Sequence, residues 1–256
     1  MPRKKREGTS LGKAGSRRLE FSTIFNVRDL EGYATPYGPV LAHRFLRSGD
    51  TMFLSDEERT FLLDYGVRRV CDLRMAIEKP DLSNRLAHVD GVAWKNFSMA
   101  DDRTMTREWT RSGAVVQFVV EGYQRMLLDR DGMRDLMEFI GAARTDECVL
   151  FHCAAGMDRT GVVGMLILGL TDVVRRDLVA DYAYSFGEDD EVDELVETVG
   201  ADDAPCPHDG LLARVQAMQQ LLTWVDDTYG SIHDMVRSWG VDEATIRSIR
   251  DHAVGA

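Results

Sequence analysis

Cysteine is scarce: Cys71, Cys148, Cys153 and Cys206 are the only four in 256 residues. That is too few for a disulfide-framed secreted fold, and no C-x-x-C pair suggests structural zinc. All four are read as reduced thiols, for which a buried and inert place is the common fate and catalysis the exception. Long apolar runs are missing too. No stretch approaches about 18 uninterrupted apolar residues, and the basic start runs into Glu7, Gly8, Thr9 and Ser10 instead of an apolar signal segment. A cytoplasmic location without membrane insertion is the expectation. Positive charge is in deficit, with 31 Lys and Arg against 43 Asp and Glu and a net charge of −12, which argues against nucleic acid as a partner. What is present suffices for a core: 44% hydrophobic residues exclude a disordered chain, and the length fits one large α/β domain.

Charge is unevenly spread. Arg3, Lys4, Lys5, Arg6, Lys13, Arg17 and Arg18 stand against the single Glu7, so residues 1–18 read as a basic, disordered tail ahead of one domain over 19–256. Residues 187–203 hold nine acidic residues and no basic one, an acidic insert read as a solvated loop or helix face onto which the tail could fold. Leu19 to Val27, Pro39 to Arg47, Val67 to Leu73, Val92 to Phe97 and Cys148 to His152 read as strands. Helical material separates the later three, and Ser55 with Glu58 forms a capping box that starts a helix ending at Gly66. Such alternation predicts an α/β fold, a central, largely parallel sheet flanked by helices. Thr160 to Leu170 is apolar all round and predicts a helix buried on every side. Leu211, Val215, Met218, Leu222 and Val225 form a helical stripe expected to pack on the sheet, while Trp109, Phe118, Tyr123 and Met126 suit either a lid or core packing.

Chemistry concentrates in Val149 to Gly161, which reads as strand, tight loop and helix start. Ala154, Ala155, Gly156, Met157, Asp158, Arg159 and Thr160 follow Cys153, and the small residues let successive N–H groups turn around one centre. The helix behind adds its unpaired donors and positive dipole end, so the loop is built for phosphate, and the same field favours Cys153 as a thiolate nucleophile. Arg159, six positions on, offers a planar fork for two phosphoryl oxygens, in binding and in the transition state.

His152, Cys153, Gly156, Arg159 and Thr160 together spell His-Cys-x-x-Gly-x-x-Arg-Thr, which resembles the signature of the cysteine-dependent protein tyrosine phosphatases. Asn26 to Leu30, Phe45 to Gly49, Asp72 to Arg74 with Glu78, Asp181-Tyr182, Tyr229 to Ser231 and Trp239 to Val241 extend the likeness to a bacterial branch. That branch includes mycobacterial and phosphoinositide-hydrolysing members, and the likeness covers residues 21–254. It implies a tyrosine-phosphatase-like fold, action on phosphotyrosine, often with phosphoserine, phosphothreonine or phosphoinositides, and no metal or other cofactor. Met157 stands where the branch commonly has Lys, and Glu31 where it has Gly. Without that lysine a multiply phosphorylated ring is a poorer substrate than a singly phosphorylated, partly apolar one.

The expected reaction has two steps, attack of Cys153 on phosphorus and hydrolysis of a cysteinyl-phosphate, with an acid protonating the leaving oxygen. Asp158, within the loop, ranks first as that acid, then Asp72, matching another acid proposed in the family, then Asp101 or Asp102. His152 fixes the loop without carrying protons, and Thr160 donates to sulfur or to the intermediate. Cys71 is either a core thiol or a redox partner of Cys153. Either a phosphorylated protein or a small phosphate monoester fits as substrate; a non-catalytic phosphate-binding scaffold is the rival that intact Cys153 and Arg159 argue against.

Overall fold

The computed structural model of the chain describes residues 17–78, 84–99, 115–199 and 210–256. In chain order the elements are β1 (Arg28–Asp29), β2 (Phe45–Ser48), α1 (Asp56–Asp64), β3 (Val67–Asp72), a 3-10 turn (Ala76–Glu78), β4 (Ala93–Asn96), α2 (Val115–Leu128), α3 (Arg130–Gly141), β5 (Cys148–His152), α4 (Asp158–Leu170), α5 (Arg175–Ala183), α6 (Asp189–Thr198), α7 (Leu211–Tyr229), α8 (Ile232–Ser238) and α9 (Glu243–Val254). The five strands form one sheet in the order β1-β2-β5-β3-β4, parallel except for β1. β5 is central because all five of its residues are buried, as a strand covered on both faces requires. Its register places His152 beside Ser48 of β2 and Asp72 of β3, so three parallel strands end at one level. The chain therefore leaves the sheet at Gly49, Leu73 and Cys153 side by side, where α/β folds hold ligands.

The two faces of the sheet are covered unequally. On one, Leu46, Val67, Val70, Cys148 and Leu150 pack with Leu62 of α1 and with Leu19, Ile24 and Val27. On the other, Phe45, Cys71, Val149 and Phe151 meet α4 and the layer of helices behind it. Twelve of the thirteen residues of α4 are buried, which is the all-round burial expected of Thr160 to Leu170. Gly161 lets α5 come close: a Cβ there would stand 2.5 Å from the Tyr182 ring. No helix among the described residues is long and apolar enough to cross a membrane.

Several expectations need correction. Leu19 to Val27 is not a strand but a series of bends, tied by one bridge between Arg18 and Arg28. Its Ser22 and Thr23 N–H groups donate to the Glu58 carboxylate, and Asn26 has φ +58°, so the extended ladder cannot form. The strand expected over Pro39 to Arg47 shrinks to Phe45–Ser48 because His43, at φ +63°, turns the chain just before it. Val215, Met218, Leu222 and Val225 of the stripe are buried and Leu211 half-buried, yet α7 packs on α2 and α5 instead of the sheet, whose face α4 already occupies. Tyr123 and Met126 are core residues. Within the acidic insert, 189–198 is the helix α6, with Val192 and Val196 turned inward. Trp109, Asp101, Asp102 and Cys206 lie outside the described residues.

Candidate active site

Between β5 and α4 the chain makes a cradle from Cys153 to Arg159. The Gly156 N–H points at the Cys153 sulfur, 3.3 Å away, while Cys153 itself is only 2% exposed, at the floor of the site. Gly156 has φ +72°, and a Cβ there would lie 2.6 Å from the Gly49 nitrogen, so only glycine fits between the loop and the end of β2. Ala154 and Ala155 are exposed, with Met157 and Asp158 half-buried. Met157, as N-cap of α4, provides no side-chain acceptor, which leaves the first-turn donors of that helix for an anion.

The outer carbonyls of the cradle are gripped by other segments. The Asp50 N–H donates to Ala154 O at 2.9 Å, and Gly156 O accepts from Asn26 Nδ2 at 2.8 Å and Arg47 Nη2 at 3.0 Å. Arg47 is itself fully buried and fixed by Asp181 Oδ2 at 2.5 Å, while Arg28 Nε stands 3.4 Å from Oδ1 of the same carboxylate. Burial, with Arg47 nearby, brings Arg28 down to about 9. Burial would also raise Asp181, but the two arginines more than offset it and hold the carboxyl below its ordinary range. Two cations on one buried anion leave positive charge next to the loop.

Arg159 is held by a two-point clamp: Nη1 and Nη2 donate to Glu78 Oε2 and Oε1 at 2.5 and 2.7 Å. Glu78 in turn accepts the Met75 N–H at 2.7 Å. Burial opposes the charge of Glu78, yet the Arg159 and Met75 donors keep its carboxyl below the usual range. The guanidinium is thus placed by a turn that follows β3, although the residue belongs to α4.

The two leading acid candidates meet different surroundings. Asp158 Oδ1 accepts the Tyr123 hydroxyl and Arg214 Nη1, the latter at 2.8 Å, and its side chain is 28% exposed. Burial, then Asp158, pushes Tyr123 well above its ordinary value, so its hydroxyl keeps the proton it donates. Asp72 is fully buried and spends both oxygens on Arg74, Oδ1 on Nε at 3.0 Å and Oδ2 on Nη2 at 2.8 Å. Burial would raise Asp72; the Arg74 bonds outweigh it and the carboxyl stays low. Arg74 also reaches Asp50, with both oxygens at 2.7 Å.

His152 stands between this ion pair and the nucleophile. Its Nε2 accepts from Asn84 Nδ2 at 2.9 Å and its Nδ1 donates to Cys153 O at 3.3 Å, which fixes the ring in one neutral tautomer. Burial keeps His152 below its ordinary value, against the pull of Asp72. Thr160 is buried with its hydroxyl unpartnered in the described structure. Cys71 is a buried free thiol that burial pushes up, an environment that opposes thiolate chemistry. Among the described residues no group of three His, Cys, Asp or Glu is arranged to hold a metal ion.

The loop residues singled out from Cys153 to Arg159 thus make one cradle, with Asp158 at its side, Thr160 buried in the first turn of α4 and Asp72 behind His152. Asn84, Asp50 and Arg214 were missed. Only Asp50 carried a signal, directly following the Ser48-Gly49 end of β2; Asn84 and Arg214 arrive from segments with no motif of their own.

The chain is similar to known proteins along most of its length. The profile described as "Tyrosine phosphatase family" matches residues 19–255. A tyrosine-protein phosphatase of Nostoc commune is 29% identical over 218 residues, covering 82% of this chain and 74% of its own. The triple specificity protein phosphatase PtpB of Mycobacterium tuberculosis is 26% identical over 278 residues, covering 92% of this chain and 99% of its own.

Proposed function

This chain belongs to the tyrosine phosphatase family, and from that premise we propose that it hydrolyses phosphotyrosine in protein substrates through a cysteinyl-phosphate on Cys153. That it is a phosphoric monoester hydrolase follows from the family. The observation that carries the mechanism is the Gly156 N–H aimed at the sulfur beside an Arg159 clamped by Glu78. Cys153 attacks phosphorus, so that an S–P bond forms as the P–O bond to the leaving group breaks. Cradle N–H groups and Arg159 stabilise the equatorial oxygens. Asp158 gives its proton to the leaving oxygen, then takes one from the water that breaks the S–P bond, releasing phosphate and restoring the thiolate. Exposure supports Asp158 over Asp72 in this role, because a leaving group can reach a carboxyl that is 28% exposed but not one that is fully buried.

Met157, in place of a loop cation, favours a singly phosphorylated substrate over a phosphoinositide; small phosphorylated metabolites are the second reading on the same ground. A cytoplasmic setting suits a nucleophile that must stay reduced. Hydrolysis of p-nitrophenyl phosphate from pH 5 to 8, with EDTA present, tests the chemistry. Wild type is expected to turn over and Cys153→Ser to be inactive, whereas turnover surviving the substitution would remove Cys153 from the mechanism. Phosphotyrosine peptides, phosphoinositides and phosphorylated metabolites compared at equal concentration then test the substrate.

A further inference from the structure

The three most exposed large apolar side chains among the described residues are Phe25 and Ile77, both at 77%, and Phe53 at 65%. Single exposed apolar residues are ordinary, but the segments that carry these three all meet the cradle. Phe25 O accepts the Gly49 N–H at 2.8 Å, and the next residue, Asn26, holds Gly156 O. Phe53 lies three residues beyond Asp50, whose N–H holds Ala154 O. Ile77 precedes Glu78, the clamp on Arg159. Three segments distant in sequence, each attached to the cradle, thus carry an unburied apolar group. Two of the other exposed apolar residues sit apart: Tyr37 bonds Asp172 under Arg250, and Leu41 lies against Gly255.

We propose that Phe25, Phe53 and Ile77 form an apolar rim that reads the residues flanking the phosphorylated side chain of a protein substrate, giving preference to apolar neighbours. This rests on the reading of the substrate as a phosphotyrosine protein. Cys153 lies at the floor, 2% exposed, so the phosphate must reach it on the end of a long side chain while the polypeptide stays at the mouth, against the rim. Charge selects in the same direction. A chain of net charge −12 repels acidic flanks and the anionic headgroups of a bilayer alike, whereas apolar flanks bury area at no electrostatic cost.

The test compares two phosphotyrosine peptides, one with Leu and Phe on both sides of the phosphotyrosine, the other with Asp and Glu there. Wild-type kcat/KM is expected to favour the apolar peptide by about tenfold or more, mainly through KM. In the triple variant Phe25→Ser, Phe53→Ser, Ile77→Ser, checked for folding by circular dichroism, the ratio is expected to approach one. Equal rates in the wild type, or a preference that survives the triple substitution, would overturn the rim while leaving phosphotyrosine as the substrate. If p-nitrophenyl phosphate is hydrolysed but neither peptide is, the protein-substrate reading fails and the rim goes with it. Binding to neutral phosphatidylcholine vesicles that the variant loses, without any flank preference, would overturn the proposal in favour of a lipid surface.

Discussion

Asparagine at position 158 keeps the contacts to Tyr123 and Arg214 but, in the proposed mechanism, removes the proton meant for the leaving oxygen. We therefore expect Asp158→Asn to lower kcat/KM, which reports the transfer to Cys153 and not the later hydrolysis, by roughly 10²–10⁴ for phenyl or alkyl phosphates and far less for p-nitrophenyl phosphate, whose leaving group needs little help. A uniform loss across leaving groups would reassign the acid. Asp72→Asn should fail differently. Its carboxylate shares with Asp50 the neutralising of a fully buried Arg74, so its removal leaves that charge with one partner of two, at a cost of about 3 kcal/mol. Urea unfolding detects this, and a variant as stable as wild type would contradict it. Which aspartate is the better acid candidate was not legible in the sequence, since each stands at or shortly beyond the end of a strand and just ahead of an arginine. Burial separates them, and burial is decided by Asn84, His152 and Arg74 closing over Asp72 from three segments.

At the level of elements, α1 does more than its capping box. Glu58 bonds the Ser55 N–H at 3.0 Å and also the N–H groups of Ser22 and Thr23 at 2.6 and 3.1 Å. Against mild burial, the Thr23 hydroxyl first, then the Ser55 N–H and the Ser22 donors, lower the Glu58 carboxyl from 4.5 to about 2. Ser55→Ala removes only the cap, at about 1 kcal/mol. Glu58→Ala also frees the segment that ends in Asn26, so we expect a larger loss, about 2 kcal/mol, together with reduced kcat because Gly156 O loses one of its donors. Equal stability of the two variants in urea would show that the tether is idle. The same tether explains an illegible stretch. Leu19 to Val27 has strand composition, but its Ser22 and Thr23 N–H groups go to a carboxylate some 35 residues ahead instead of to a neighbouring strand. Cys148–His152 and α4 were legible because an unbroken apolar run has few alternatives to complete burial.

Across the whole molecule, the carboxylates bound to arginine stabilise the fold above their unfolded values and release that stabilisation in acid, while Asp29 acts in the opposite sense. Burial, partly countered by the Tyr65 hydroxyl, raises Asp29 from 3.8 to about 6. Between those values the folded chain holds a proton that the unfolded chain has shed, so stability falls as pH rises through the window, by roughly 3 kcal/mol. Asp29→Asn should flatten that slope in urea unfolding between pH 4 and 6.5; an unaltered slope would place its origin elsewhere. The grip on the outer carbonyls of the cradle has its own consequence. A trans peptide unit is rigid and planar, with N–H and C=O pointing in opposite directions. Holding Ala154 O and Gly156 O outward therefore turns the N–H groups of Ala155 and Met157 inward, before any substrate arrives. The inner lining of the cradle is positive because distant residues at positions 26, 47 and 50 pull its negative ends out.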